Sequence, residues 1–281
     1  MRTTIQQVRD FKAKGEKFAV LTAYDYATAR IVDRAGIPVI LVGDSLGMVV
    51  LGYESTIPVT MDEMIHHTKA VVRGTDKAMV VADMPFMTYH ITVEETLRNA
   101  ARFIQEAGAQ AVKLEGGVTV ADKVRKLVDC GIPVMGHIGL TPQSVNQLSG
   151  YKVQGRNLQA AKKLLADARA LESAGAFAVV LETMPTELSA YISSKITIPT
   201  IGIGAGAGCD GQVQVISDLL GLFTDFVPKH AGQYARLADL IADAVTAYAA
   251  DVKNGSFPTL HQSFTMEEAV IEDLKREDES P

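Results

Sequence analysis

The chain has 281 residues, 47% of them hydrophobic, and a net charge of −6. No cluster of Lys and Arg stands out, which argues against a nucleic-acid partner, and no apolar run reaches the roughly 18 residues of a membrane span. The opening MRTTIQQVRDFKAKGEKF lacks the apolar centre of a secretory signal, and Cys130 and Cys209 have no metal-ligand spacing, so a reduced, cytoplasmic protein is expected.

Along the chain, short apolar runs alternate with segments of helical period. FAVLTAY (18–24) leads into DYATARIVDRAG, and VILVGDS (39–45) into a Gly-rich loop and then MDEMIHHTKAVVRG (61–74). AMVVADM (78–84) precedes TVEETLRNAARFIQEAG (92–108); AVKLEGG (111–117) precedes TVADKVRKLVDCG. VMGHIGL (134–140) opens a polar loop, after which NLQAAKKLLADARALESAG (157–175) is helical. FAVVLET (177–183), PTIGIGAG (199–206) and DFVPKH (225–230) complete eight strand candidates. Thr60 with Glu63 and Thr92 with Glu95 have capping-box spacing. Gly36, Gly74, Gly108, Gly131 and Gly175 stand where helices end in a left-handed residue.

Continuous apolar runs of this length suit strands buried on both faces. Eight strand–helix units predict an α/β fold, a single (β/α)8 TIM barrel over residues 1–281. A last helix follows His230, and the chain ends in a short acidic tail (about 265–281) with the composition of a partly mobile segment. A doubly wound open sheet fits less well, because the chemistry-bearing residues spread over many strands.

Those residues fall at the strand ends, where barrels carry their chemistry. Asp44, Asp83, Glu115 and Glu182 would converge on one mouth, and burying unpaired acids is costly, so a positive partner is expected among them. Asp44, Asp83 and Glu115 are hard oxygen donors that suit Mg²⁺, and equally well they cap helices. Lys113 lies two residues before Glu115 and shares its face. It suits a substrate carboxylate, a Schiff base or simple neutralisation of the acids. Glu182 fits a general base or a helix cap. His137 is the histidine inside a strand run, facing the barrel or satisfied in the core. His66 and His67 are expected on a helix surface, and His230 near the mouth. GIGAGAG (202–208) is compatible with anion binding and with close backbone packing.

Several strings are long and unusual: LTAYDYATA (21–29), LVGDSLGMVVLGYEST (41–56), VADMPFMTY (81–89), VKLEGG (112–117), GHIGLTPQS (136–144), LETMP (181–185), TIGIGAGAGCDGQVQVISDLLG (200–221) and the late FP and HQSF within 257–264. Through them nearly the whole chain resembles the ketopantoate hydroxymethyltransferase family. The resemblance implies a barrel of the phosphoenolpyruvate mutase type in a large homo-oligomer, usually a decamer. It implies transfer of a hydroxymethyl group from 5,10-methylenetetrahydrofolate to the 2-oxo acid 3-methyl-2-oxobutanoate, giving 2-dehydropantoate in pantothenate biosynthesis. By position Asp44, Asp83 and Glu115 match the family's magnesium site, with Glu115 acting directly or through a water. Asp44, Ser45, Asp83 and Lys113 match its keto-acid contacts, and Glu182 its proton acceptor.

The chemistry of those side chains agrees with an enolate stabilised by Mg²⁺, with His137 orienting bound substrate and the folate lying across the mouth. Two other readings use the same residues. One is a Mg²⁺-dependent aldolase or lyase acting on a pyruvate-like 2-oxo acid; the other is a non-catalytic binding protein on a barrel.

Overall fold

Strands β1 (Phe18–Thr22), β2 (Val39–Val42), β3 (Met79–Asp83), β4 (Ala111–Glu115), β5 (Val134–Gly139), β6 (Ala178–Glu182), β7 (Thr200–Ile203) and β8 (Gly211–Gln214) close into a parallel barrel in chain order. The structure is a computed structural model and describes residues 1–279. β1 pairs with β2 on one side and with β8 on the other, which shuts the ring. Helices Tyr26–Arg34, Met61–Gly74, Val93–Gln105, Ala121–Asp129, Leu158–Ser173 and Thr186–Lys195 follow the first six strands. Among the described residues no helix is long and apolar enough to cross a membrane.

The first seven strand expectations hold, and the eighth does not. The segment DFVPKH (225–230) has no strand structure. The eighth strand is instead GQVQ, whose Val213 points into the core while Gln212 is exposed. Its alternation of Gln with small and apolar residues hides it beside the longer apolar runs. The ladder closes because Gly211 and Gln212 pair with Ile201 and Gly202 of β7.

Alternate residues sort the core into two layers, as the period of two demands. Phe18, Val20, Val39, Leu41, Met79, Val81, Ala111, Met135, Val180, Ile201 and Val213 fill the barrel interior. Their neighbours Leu21, Ile40, Val80, Val112, Val134 and Val179 face the surrounding helices. A helix absent from the sequence expectation, Ile5–Lys14, joins the inner layer through the fully buried Val8, and its Phe11 ring stacks on Phe18 at 5.0 Å. It seals the end of the barrel where the strands begin.

Of the helix-ending glycines, Gly36, Gly108, Gly131 and Gly175 adopt positive φ as expected. Gly74 differs. It belongs to the last turn of its helix, and a Cβ there would come within 2.5 Å of the Tyr26 carbonyl oxygen, so close helix packing explains it. The Thr60–Glu63 capping box is complete, whereas Thr92 receives the Glu95 N–H without the reciprocal bond.

One buried acid fixes the entry to β3. Asp33 accepts the backbone N–H groups of Asp76, Lys77 and Ala78, while Arg2 binds the Val72, Thr75 and Ala78 carbonyls alongside. Burial opposes ionisation of Asp33, but these three donors and the Arg2 charge outweigh it and hold the carboxyl below its usual value. Asp33→Ala leaves the donors without a partner and is expected to cost about 3 kcal/mol in urea denaturation. A depressed carboxyl stabilises above its unfolded pKa of about 4 and loses that contribution as pH falls through its folded value. Asp33→Asn should therefore flatten the acid limb of the stability curve.

The chain divides into two compact units, Met1–Tyr234 and Ala235–Pro281. The second holds the expected helix, Leu237–Asn254, ended by Gly255 in the left-handed conformation. The segment expected to be a mobile acidic tail carries a further helix, Glu268–Asp278; its last two residues lie outside the described ones.

Candidate active site

The inward register continues upward from the apolar layers into a polar one. On β3 it runs Met79, Val81, Asp83; on β4 Ala111, Lys113, Glu115; on β5 Met135, His137; on β6 Val180, Glu182. Cross-strand pairing sets Asp83 beside Lys113, Glu115 beside His137, and Gly139 beside Glu182. Asp44 arrives differently, from the turn after β2. A Cβ at Gly43 would meet Ser45 Oγ at 2.8 Å, so a larger residue there would displace the Ser45 hydroxyl.

Asp44, Ser45, Asp83, Lys113, Glu115, His137 and Glu182 thus gather at one end of the barrel. Lys113 Nζ lies 3.2 Å from Asp83 Oδ2 and 3.1 Å from His137 Nδ1. The Asp44 N–H donates to the same Asp83 oxygen at 3.1 Å. His137 Nδ1 is 3.4 Å from Glu115 Oε1, and its Nε2 is 3.0 Å from Glu182 Oε2. Ser45 Oγ shares a hydrogen bond of 2.9 Å with the Tyr24 hydroxyl. Asp44, Asp83, Lys113, Glu115 and His137 are all buried, while the Glu182 side chain keeps 14% exposure towards the mouth.

Burial and mutual repulsion with Asp83 and Glu115 drive the Asp44 carboxyl well above its ordinary value. Asp83 is raised by burial despite the Lys113 charge, whereas the contacts of Glu115 with His137, Lys113 and Gln143 overcome burial and lower it. Lys113 is held charged by the acids around it, against its own burial. Burial and the Lys113 ammonium push His137 down, but Glu115 and Glu182 outweigh them and raise it to about 9. The short Lys113 contact, in contrast, suits a neutral imidazole that accepts at Nδ1. In both forms Nε2 carries a proton facing Glu182, at contact distance but outside hydrogen-bond alignment.

Four acids face one ammonium and one imidazole here, so negative charge is in excess. Asp83 Oδ1 and Glu115 Oε1 are buried without a hydrogen-bond partner. Among the described residues no three His, Cys, Asp or Glu groups close into a ready metal cage. The donors are nonetheless carboxylate oxygens with two left unused, which is the chemistry that Mg²⁺ takes while retaining waters.

The remaining sequence candidates lie elsewhere. His66 is exposed, but His67 is half-buried and its Nδ1 sits 2.7 Å from the Tyr24 carbonyl oxygen. His230 is exposed and packs on Gly204 at the end of β7. The 202–208 glycines serve close packing: a Cβ at Gly206 would strike Thr186, and one at Gly208 would strike Ala190. Cavities of about 580 and 450 Å³, lined respectively by Arg9, Lys12 and Glu172 and by Lys17, Cys209 and Gln212, touch none of the acid cluster.

Sequence reasoning overlooked Gln143, Tyr89 and Tyr24. Gln143 and Tyr89 are fully enclosed polar groups bonded to the acids, and Tyr24 holds Ser45. Each sits inside a string that carried the family resemblance. Gln143 and Tyr89 lie in loops where no periodicity flags a side chain as inward, whereas Tyr24 continues the inward alternation of Phe18 and Val20.

The family profile described as ketopantoate hydroxymethyltransferase matches residues 2–260. A 3-methyl-2-oxobutanoate hydroxymethyltransferase of Dehalococcoides mccartyi is 68% identical over 276 residues, covering 98% of each chain. One of Chloroflexus aurantiacus is 60% identical, covering 96% of each. Among solved structures, phosphonopyruvate hydrolase in complex with oxalate and Mg²⁺ superposes with a TM-score of 0.60 at 12% identity, covering 99% of this chain and 96% of that one. Phosphoenolpyruvate phosphomutase from Streptomyces platensis gives 0.59 at 16% identity, covering 98% and 96%. These last two share the closed barrel fold of this chain. Profile and relatives agree over almost the entire length, and the chain belongs to the ketopantoate hydroxymethyltransferase family.

Proposed function

We propose that this enzyme transfers a hydroxymethyl group from 5,10-methylenetetrahydrofolate to 3-methyl-2-oxobutanoate, giving 2-dehydropantoate and tetrahydrofolate, with Mg²⁺ bound at the barrel mouth. Water supplies the oxygen of the new hydroxyl. The observation that carries the reading is the buried cluster of acids around Lys113, with two carboxylate oxygens unused, beside a part-exposed Glu182.

Asp44, Asp83 and Glu115 would hold the cation. When bound, it supplies an electrophile for the keto and carboxylate oxygens and so acidifies the adjacent C3–H. Lys113 is donor-only and charged, so it binds substrate oxygen and offsets the negative charge that grows as the proton leaves. The Ser45 hydroxyl, steered by Tyr24, offers a second donor on the same side. Glu182 Oε accepts the C3 proton, and the electron pair left behind forms the new carbon–carbon bond to the folate-borne methylene. Both carbon–nitrogen bonds of that methylene break, water supplies the hydroxyl, and the two folate nitrogens take up one proton from water and one released from C3. The His137 imidazole, 3.0 Å from Glu182 Oε2, packs against that carboxylate and limits where it can sit. A homodecameric assembly and a cytoplasmic location belong to the same proposal and rest on family membership.

The test is exchange of the C3 proton of 3-methyl-2-oxobutanoate with D₂O, followed by proton NMR. Exchange should require Mg²⁺ and proceed without folate, while product should require 5,10-methylenetetrahydrofolate. Exchange of pyruvate but not of the branched acid, with turnover of a free aldehyde, would replace this reading with the aldolase.

A further inference from the structure

Gln143 lies in the short turn Pro142–Ser144 after β5, Tyr89 in the loop after β3, and both are buried. We propose that Gln143, oriented by Tyr89, is a positioning residue that decides which oxygens of Asp44 and Glu115 face a bound divalent cation. The inference rests on the magnesium reading above and adds to it the origin of the site's geometry.

The direction of each hydrogen bond around Gln143 is fixed by its partners. The Glu115 backbone N–H can only donate, and it donates to the Tyr89 hydroxyl oxygen at 3.2 Å. Tyr89 has one proton, and its remaining partner is Gln143 Oε1 at 2.7 Å, so that proton goes there. The carbonyl end of the Gln143 amide is thereby fixed, and the NH₂ end must point the other way. It meets the Met84 carbonyl oxygen at 2.9 Å, which can only accept, and Asp44 Oδ2 at 2.8 Å. Meanwhile the Gln143 backbone N–H donates to Glu115 Oε2 at 3.0 Å.

One residue therefore occupies a single oxygen on each of two acids, one from the turn after β2 and one from the end of β4. Glu115 Oε1 is left without a hydrogen-bond partner, and Asp44 Oδ1 accepts no hydrogen bond from the described residues. Asp83 shows the same division by other means. Its Oδ2 takes the Asp44 N–H and Lys113, and its Oδ1 has no partner. Each of the three proposed ligands thus has one oxygen hydrogen-bonded to the protein and one that accepts no hydrogen bond, that of Glu115 lying 3.4 Å from His137 Nδ1. A carboxylate with one oxygen already anchored loses little freedom on meeting a cation, and this is why outer partners of metal ligands tune affinity.

The competing explanation is that Gln143 and Tyr89 merely tie the β3 and β5 loops together. Tyr89→Phe separates the two, because it preserves the ring and the packing but removes the proton that orients the amide. Gln143→Glu removes the NH₂ donors at nearly constant shape and sets an oxygen against Asp44. Mg²⁺ binding is measured by titration calorimetry on the full-length protein, with unfolding temperature recorded separately in EDTA. Both variants should bind Mg²⁺ about 10–100-fold more weakly, the range seen for outer partners of metal ligands. Where Gln143→Glu does not fold, Tyr89→Phe alone decides. A lowered unfolding temperature with affinity within twofold of the unsubstituted protein would overturn the positioning role and leave the magnesium site standing. Failure of the unsubstituted protein to bind Mg²⁺ would overturn both.

Discussion

Replacing Glu182 with Gln lowers the rate of deuterium exchange at C3 of 3-methyl-2-oxobutanoate by about 10²–10⁴-fold, the contribution typical of a positioned base. Glu182 is suited to that part because it is the least enclosed of the mouth acids, at 14% exposure. Its Oε2 touches the His137 imidazole and no backbone donor, so it is not committed as a helix cap. Gln preserves the size of the side chain and removes only its basicity. The structural acids and Lys113 are untouched, so Mg²⁺ affinity and unfolding temperature should stay near those of the parent. Full exchange by the variant would take Glu182 out of the chemistry while leaving the cation site in place.

Lys113→Met is expected to cost about 3–5 kcal/mol of folding stability, the penalty for removing one partner of a buried ion pair. The ammonium is buried and lies 3.2 Å from Asp83. Methionine fills similar space and carries no charge, so Asp44, Asp83 and Glu115 are left facing one another in a medium that solvates them poorly. Urea denaturation in EDTA measures the loss. Adding Mg²⁺ should recover part of it, since a ligand that binds only the folded state stabilises that state. A cost below about 1 kcal/mol would mean that the acids are neutral in the folded protein and that Lys113 does not compensate them.

Much of this site is legible in the primary structure. The period of two placed Lys113 with Glu115 and carried Asp83, His137 and Glu182 to strand ends, because alternation is a local property of extended backbone. Capping spacings located helix starts at Thr60 and Thr92 for the same local reason. Asp44 was legible only as a residue near a strand end. That it reaches the acids depends on the turn after β2, where its N–H donates to Asp83 Oδ2.

Other features depend on partners distant along the chain. Gln143 meets Asp44 across 99 positions and Tyr89 across 54, so its burial follows from barrel closure and from nothing in its own loop. The same holds for β8, which Gly211 and Gln212 make into a strand by pairing with β7. An isolated Pro-containing run at 225–230 looked more strand-like and found no neighbour. Even the Gly-rich stretch at 202–208 was decided by what packs on it, since Thr186 and Ala190 come from another element.

Order of residues alone determined the barrel class, the alternating faces and the set of acids, because each is written in short-range periodicity and residue chemistry. Tertiary structure decided which strand closes the ring, which oxygens of the acids are left free and which histidine stands between two carboxylates. Those outcomes turn on hydrogen-bond direction and close approach between segments that meet only when the ring is shut.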